Sequence, residues 1–339
     1  AAICEPISPA PTTTTSINGD HRAMRIVITG GLGMLGVELA RHLQRTRPQD
    51  ELLLLDVPVA AAPPDDLARA LVLRGDIRDA DLLRAALAAP EVAIVHLASI
   101  VSGGAERDFD LALDVNLDGG RALVAACRAH GTAPRLVFTS SLATFGGALA
   151  LGTVDDGTRQ TPLTTYGATK AMLELLFADA TRKGFLDARS ARPPTVIVRP
   201  GAPNAAASGF ASAVVREPLA GRATTLPVGL DQPAVVIGVD TTVGCLARLL
   251  EIDGAALGDG RALNLPGLVV TPQELLDALH ALVDEATLAP VSVELDPATV
   301  AIVRTWATDW RSSRADALGL PRDEDAAAIV RAYLERIGR

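Results

Sequence analysis

Residues 25–36 read RIVITGGLGMLG, and this stretch decides the fold. Arg25 to Thr29 has the length and β-branched character of a buried strand. Gly30, Gly33 and Gly36 follow it, and helical spacing is established from Val37 to Leu43. Glycine lets a backbone turn sharply and lets a phosphate approach without a Cβ in the way. The helix beyond the turn offers unpaired N–H groups and the positive end of its dipole. Strand, glycine turn and helix in this order predict a site for a dinucleotide pyrophosphate. Gly30, Gly33, Met34, Leu35 and Gly36 are the expected contacts.

The next strand candidate, Glu51 to Asp56 (ELLLLD), ends on a carboxylate twenty positions after Gly36. A carboxylate there accepts both ribose hydroxyls of an adenosine and repels a 2′-phosphate. No Arg stands between Val57 and Ala62 to reverse that preference, so NAD is expected rather than NADP. A third strand, Leu71 to Leu73, leads into GDIRD. Its Asp76 is placed to accept a bond from the adenine amine, with Ile77 against the ring. The alternative for Asp76 is a helix N-cap.

The same alternation continues down the chain. Val92 to Leu97 is a fourth strand, Asp114 to His130 has helical periodicity, and Arg135 to Ser140 is a fifth strand. Tyr166 to Lys183 is helical and Thr195 to Arg199 is a sixth strand. Short apolar runs alternating with helices imply βαβ units and a parallel sheet buried on both faces. The expected fold class is therefore α/β, with a doubly wound parallel sheet. Residues 24–200 form the nucleotide-binding part, with 234–252 returning to it. Residues 201–233 and 253–339 are less regular. Residues 1–23, rich in Pro and Thr, read as a disordered leader, with Met24 a natural start.

The chain has 339 residues, 49% apolar, with a formal net charge of −9. That is ample material for a core, and the charge argues against nucleic acid as a partner. No apolar run approaches the about 18 residues needed to cross a bilayer, so no membrane is expected. The cysteines, Cys4, Cys127 and Cys245, match no metal motif and read as scattered reduced thiols in a cytoplasmic enzyme. No metal site is expected.

Tyr166 and Lys170 are four apart on a predicted helix, which puts both on one face. A phenol titrates near 10, too high for a base at neutral pH. A nearby ammonium and a cationic nicotinamide favour the phenolate. Lys170 can also hold a nicotinamide ribose. Ser141, at the end of the fifth strand, can orient a reacting oxygen while Tyr166 exchanges its proton. A surface Tyr/Lys pair with a capping Ser is the bland alternative.

Together, TGGLGMLG, Asp56, Asp76, His96-Leu97-Ala98-Ser99, Asn116, Thr139-Ser140-Ser141 with Phe145-Gly146, Tyr166-Gly-Ala-Thr-Lys170 and Arg199-Pro200-Gly201 resemble the extended short-chain dehydrogenase/reductase family. Met34 stands where Phe is usual in that family's glycine loop, and Phe145 where many sugar epimerases carry Tyr. The resemblance runs from about residue 24 to the end. It implies a Rossmann domain over residues 24–200, a smaller α/β C-terminal substrate domain formed by 201–233 and 253–339, and catalytic roles for Ser141, Tyr166 and Lys170. It also implies that Leu97, Ser99 and Asn116 line the cofactor or hold its strands, and that subunits dimerise by packing two helices each.

The segments Ile100–Asp110, Arg182–Gly221 and Arg261–Gly267 are similar to a branch of the family that oxidises a four-carbon sugar acid, D-erythronate, at C2, giving 2-dehydro-D-erythronate and NADH. A small polar acid needs a compact site rich in hydrogen-bond donors. Ser102 with the Gly103-Gly104 backbone, and Asn204 with Ser208, are candidates for these. Arg216 is a candidate carboxylate partner. Loop caps and a solvent-facing charge are the plainer readings of these residues. His96 and Arg199 read as structural, the latter bracing the sheet end, and Trp306 and Trp310 as C-terminal packing. Three rival functions remain: a nucleotide-sugar epimerase or dehydratase with tightly bound NAD, a threonine-type or hydroxysteroid dehydrogenase, and a non-catalytic NAD-sensing regulator.

Overall fold

The computed structural model describes residues 23–200 and 207–339. In chain order the first half runs β1 (Arg25–Thr29), α1 (Met34–Thr46), β2 (Glu51–Asp56), β3 (Leu71–Arg74), α2 (Ala80–Ala86), β4 (Val92–His96), α3 (Ser102–Arg107), α4 (Phe109–Ala112), α5 (Gly119–His130), β5 (Arg135–Thr139), β6 (Thr153–Val154), α6 (Thr165–Arg182), β7 (Asp187–Arg192) and β8 (Thr195–Ile197). The second half runs α7 (Phe210–Leu219), β9 (Thr224–Leu226), β10 (Ala234–Gly238), α8 (Val239–Glu251), β11 (Ala262–Asn264), β12 (Leu268–Val270), α9 (Pro272–Leu282), β13 (Val291–Val293), α10 (Pro297–Val303), β14 (Asp309–Trp310), α11 (Ser313–Ala317) and α12 (Ala326–Arg336).

Seven parallel strands form the main sheet in the order β3-β2-β1-β4-β5-β7-β11. Strand order reverses direction between β1 and β4, so a crevice opens at the carboxyl ends of those two strands. Alternate strand residues face opposite layers. Ile26, Ile28, Leu52 and Leu54 pack with α1 and α8. Val27, Leu53, Leu55 and Ile94 pack with α5 and α6. Burial on both faces explains why these strands read as continuous apolar runs.

A second layer of structure lies beyond the sheet. Strands β8, β10 and β12 form a three-stranded sheet. Its core joins Phe210, Val214, Leu275, Leu279, Ile329 and Val330 from α7, α9 and α12. Helix α9 begins as its sequence dictates: the Thr271 hydroxyl accepts from Glu274 N, and the Glu274 carboxylate accepts in return from Thr271 N at 2.7 Å.

Three expectations shift. The sixth strand of the main sheet is Asp187–Arg192, not Thr195–Arg199, which contributes β8 to the small sheet. The segment DARSAR hides its strand character because two of its inward positions are arginines. Arg189 is fully buried and donates to Ile252 O at 2.7 Å, while Arg192 pairs with Glu174. Of residues 234–252, the helix α8 covers the main sheet, whereas β10 belongs to the small one. Finally, β11 from the later segment pairs with β7 and completes the main sheet.

Candidate active site

The turn between β1 and α1 is built by steric necessity. Gly30 has φ +68°, a conformation costly for any other residue. A Cβ on Gly36 would lie 2.4 Å from Gly30 O, so only glycine lets α1 pack this closely on the turn. Gly31, which the sequence reading passed over, is equally constrained, since its Cβ would meet Leu54 Cα at 2.9 Å. Gly33, by contrast, has only Gly30 O within reach, at 3.2 Å, so its outer side is open to a ligand. Helix α1 starts from Gly33 with no side-chain cap. The first-turn N–H groups of Met34, Leu35 and Gly36 therefore face outward as anion donors, while the side chains of Met34 and Leu35 pack partly on the core.

Asp56 closes the other side of the turn. Its carboxylate accepts Leu32 N and Val57 N, each at 2.8 Å, which fixes it at the end of β2 with lone pairs remaining for a ribose. Sequence reasoning missed Arg74. Parallel pairing sets it beside Asp56, and its guanidinium donates to Ala60 O and Ala61 O at 2.7 and 2.9 Å. A cation does stand near the ribose position, but it is committed to the loop backbone. The signal was available only through the β2–β3 register.

For Asp76 the helix-cap alternative fails, and for Ile77 the contact with a ring does. Arg78 wraps the Asp76 carboxylate through its backbone N and guanidinium, at 2.7–3.1 Å, and holds the carboxyl below its ordinary range. The N-cap of α2 is Asp79 instead. Ile77 is 5% exposed and packs into the core against Gly119, so its side chain is no platform for a ring.

On the β4 side, Leu97 N is bonded to Thr29 O at 3.0 Å, and the Leu97 side chain packs partly under α1. Asn116 lies in a π-helical segment, residues 113–118, and is 1% exposed. Its oxygen accepts Ile100 N at 2.7 Å and the Ser99 hydroxyl at 3.1 Å. Its amide donates to Ile100 O and Thr169 Oγ1, both at 3.1 Å. All four hydrogen-bonding sites are thus used to tie the loop after β4 to α6.

Ser141 follows β5 and caps a short 3₁₀ turn, accepting Ala143 N at 3.1 Å. Tyr166 and Lys170 lie one turn apart on α6, whose N-cap is Thr164. Burial pushes the Tyr166 phenol up, while a hydrogen bond with Ser141 and the charge of Arg199 pull it back. The cation acting on the phenol is therefore Arg199, beyond its bracing role. The ammonium of Lys170 sits 5.5 Å over the Tyr166 ring rather than at its hydroxyl. Lys170 Nζ donates to Thr139 O at 2.7 Å and lies 4.7 Å over the Phe138 ring. Burial pushes it down to about 7, against the pull of Glu174.

Among the substrate candidates, Ser102 opens α3, which is held to the start of α6 by Thr165 N donating to Glu106 at 2.8 Å. Ser208 lies half-buried in the 3₁₀ turn before α7, and Asn204 lies outside the described residues. Arg216 is not solvent-facing: it is buried on α7, donating to Glu217 at 2.7 Å and to Arg199 O at 2.9 Å. Two guanidinium groups, Arg199 and Arg216, are close enough that burial and mutual repulsion push Arg199 below its ordinary value. His96 is fully buried, bonded to Thr29 Oγ1 at 2.7 Å and stacked on Phe138. Trp306 stacks on Phe210, and Trp310 meets Phe145 edge-on. Among the described residues no cluster of His, Cys, Asp or Glu suits a metal ion, and no helix is long and apolar enough to cross a membrane.

An uncapped helix start over a turn open at Gly33, with a fixed carboxylate beside it, fits the pyrophosphate and ribose of NAD. The Ser-Tyr-Lys group stands at the carboxyl ends of the neighbouring strands, where a nicotinamide would reach. Fold and site together define an NAD-dependent oxidoreductase of the Rossmann class. The chain belongs to the NAD dependent epimerase/dehydratase family, whose model matches residues 26–239. It is 43% identical over 324 residues to a D-erythronate dehydrogenase of Cupriavidus necator, covering 93% of this chain and 99% of that one. It is 37% identical over 314 residues to a D-erythronate dehydrogenase of Haemophilus influenzae, covering 92% and 99%. A solved nucleoside-diphosphate-sugar epimerase from Agrobacterium tumefaciens matches with a TM-score of 0.85 at 35% identity, over 93% of this chain and 95% of that one. The family, the parallel nucleotide-binding sheet and the NAD dependence expected from the sequence are borne out.

Proposed function

We propose that this enzyme oxidises D-erythronate at C2 to 2-dehydro-D-erythronate. The observation that carries the reading is the near full-length identity to two D-erythronate dehydrogenases. Bound NAD supplies the acceptor for the hydride leaving C2. Tyr166 takes the proton of the C2 hydroxyl as that hydride departs. Ser141 donates to the oxygen that becomes the carbonyl. Lys170, with one N–H on Thr139 O, has two further donors for the nicotinamide ribose. Arg199, facing Tyr166 with Arg216 behind its backbone, meets the substrate carboxylate. Their mutual repulsion is relieved when an anion arrives. Ser102 and Asn204 are the proposed hydroxyl contacts.

The likeness to an epimerase structure keeps a second reading in play, nucleotide-sugar epimerisation on bound NAD. Absorbance in the reduced-nicotinamide band separates the two. NADH accumulating with D-erythronate and free NAD, and none with a uridine-diphosphate hexose, supports the dehydrogenase. Interconversion of the nucleotide sugar without net NADH would overturn it. A regulator that only senses NAD would turn over nothing.

We place the enzyme in the cytoplasm, where its two described cysteines, both buried and free, need no partner. We also propose a homodimer. Helix α6 presents exposed Met172 and Leu175, and a cavity of about 570 Å³ against α5 is lined by Arg121, Val124, Arg128, Leu176 and Phe185.

A further inference from the structure

Glu174 stands one helical turn after Lys170 on α6, 4% exposed, and no step above uses it. Its carboxylate accepts the Ser140 hydroxyl from the end of β5, the Gln160 amide at 2.7 Å, and Arg192 Nε and Nη2 from β7 at 3.0 and 2.6 Å. Arg192 is 6% exposed, lies 5.1 Å from the centre of the Phe145 ring and reaches Asp156 O at 3.3 Å. Burying two charges only to pin a helix to a sheet brings little stability, because apolar side chains of similar volume hold such a site as well or better. The charge has another neighbour to act on.

That neighbour is Lys170, 2% exposed, with Thr139 O as its one hydrogen-bond partner among the described residues. The other titratable groups facing it are Tyr166 on its own helix and His96 from β4, which burial keeps neutral. Arg199, beyond β8, faces the phenol. Glu174 draws Lys170 up, whereas the phenol is governed by burial, Ser141 and Arg199.

We propose that Glu174 is a positioning residue for the catalytic proton: held by Arg192 and Ser140 one turn from Lys170, its negative charge keeps the proton on the lysine nitrogen when the phenol gives up its own. When the pair has lost one proton, two arrangements of equal charge compete. Phenol with free amine is inert. Phenolate with ammonium can accept the substrate proton and hold the ribose. Glu174 favours the second, and Arg192 moderates it. The inference rests on the reading of Tyr166 and Lys170 as the catalytic pair.

The chain contains only two lysines, Lys170 and Lys183. Lysine labelled with ¹³C at Cε therefore gives two NMR signals, and the exposed Lys183 serves as an internal reference. In the full-length protein, Glu174→Gln is expected to lower the Lys170 midpoint by about one to two pH units, from the Coulomb strength of a charge at this range. Arg192→Gln is expected to raise it. In Glu174→Gln, kcat should fall about 10-fold or more with KM for substrate little changed. The double variant Glu174→Gln/Arg192→Gln removes both charges. It supplies the reading if a single variant fails to fold, and its midpoint should also lie below that of the wild type. A purely structural role would leave the Lys170 midpoint unmoved in the folded variants, and that result overturns the proposal. Because the midpoint is read without substrate, failure to oxidise D-erythronate would sink the substrate assignment and leave this test intact.

Discussion

Asn116 and Thr169, 53 residues apart, share a 3.1 Å hydrogen bond, and Thr169 Oγ1 passes it on to Tyr166 O at 2.9 Å. The loop after β4 and α6, which carries Tyr166 and Lys170, are thereby locked to each other through one buried amide. Asn116→Ala leaves Ile100 N, Ile100 O and the Thr169 hydroxyl without this partner. It is expected to destabilise the fold by about 2–4 kcal/mol and to lower kcat about 10- to 100-fold through displacement of Tyr166. Thermal unfolding and steady-state kinetics on the purified variant check both. A wild-type melting temperature with wild-type kcat would contradict the role.

Tyr166→Phe removes only the hydroxyl at the centre of the proposed proton transfer. Loss of the base is expected to reduce kcat by about 10²- to 10⁴-fold. The phenyl ring still packs beneath Lys170, so the dissociation constant for NAD should change less than about 3-fold. Titration calorimetry with NAD, alongside NADH production, separates the two effects. Retained turnover would remove Tyr166 from the mechanism.

Asp56→Asn replaces a charged ribose acceptor by a neutral one. Hydrogen bonds to a charged group contribute about 1.5–3 kcal/mol, so NAD should bind about 10- to 100-fold more weakly. With the repulsion gone and Arg74 nearby, binding of NADP should weaken less or improve. An unchanged ratio of the two affinities, measured by calorimetry, would contradict the assignment.

The nucleotide-binding half of the fold was legible because its layout depends on backbone shape. A turn that admits only glycine, a carboxylate ending a strand and a Tyr-Lys pair one turn apart leave direct marks in the sequence. What escaped notice depended on contacts between distant segments. β7 was hidden because Arg189 and Arg192 are satisfied by Ile252 O and Glu174, which lie far away in the chain. Arg74 approaches Asp56 only through strand register. For Arg216 the sequence allowed both a carboxylate partner and a solvent-facing charge, and only the burial of α7 against β8 and α9 removes the second. Arg199 likewise gained its place beside Tyr166 only once β8 left the main sheet.

His96 makes the fold acid-sensitive. Burial holds its imidazole down to about 3, against an ordinary value of 6.5, with the Phe138 and Phe177 rings around it. The native state therefore keeps the ring neutral while the unfolded chain takes up a proton between those two values. Stability is present above pH 6.5 and is lost as the pH falls toward 3. At pH 4 this amounts to about 3 kcal/mol. His96→Gln can still bond to Thr29 but does not titrate, so its urea midpoint should fall less between pH 7 and pH 4 than that of the wild type. Parallel declines would assign the acid loss elsewhere.

The outer face of α6 offers a last test. Leu175 is 69% exposed and Met172 40%, on a helix whose opposite face carries Tyr166 and Lys170. A pair of such helices from each of two subunits would cover this apolar surface, and exposed patches of this kind commonly mark interfaces. Leu175→Glu places a charge where the partner would pack and leaves the inward residues Leu173 and Phe177 untouched. Light scattering on size-exclusion fractions is expected to show a dimer for the wild type and a monomer for the variant. The variant's melting temperature should also fall with dilution less than that of the wild type, because only the dimer draws stability from association. A wild-type chain that is monomeric at micromolar concentration would end the dimer proposal.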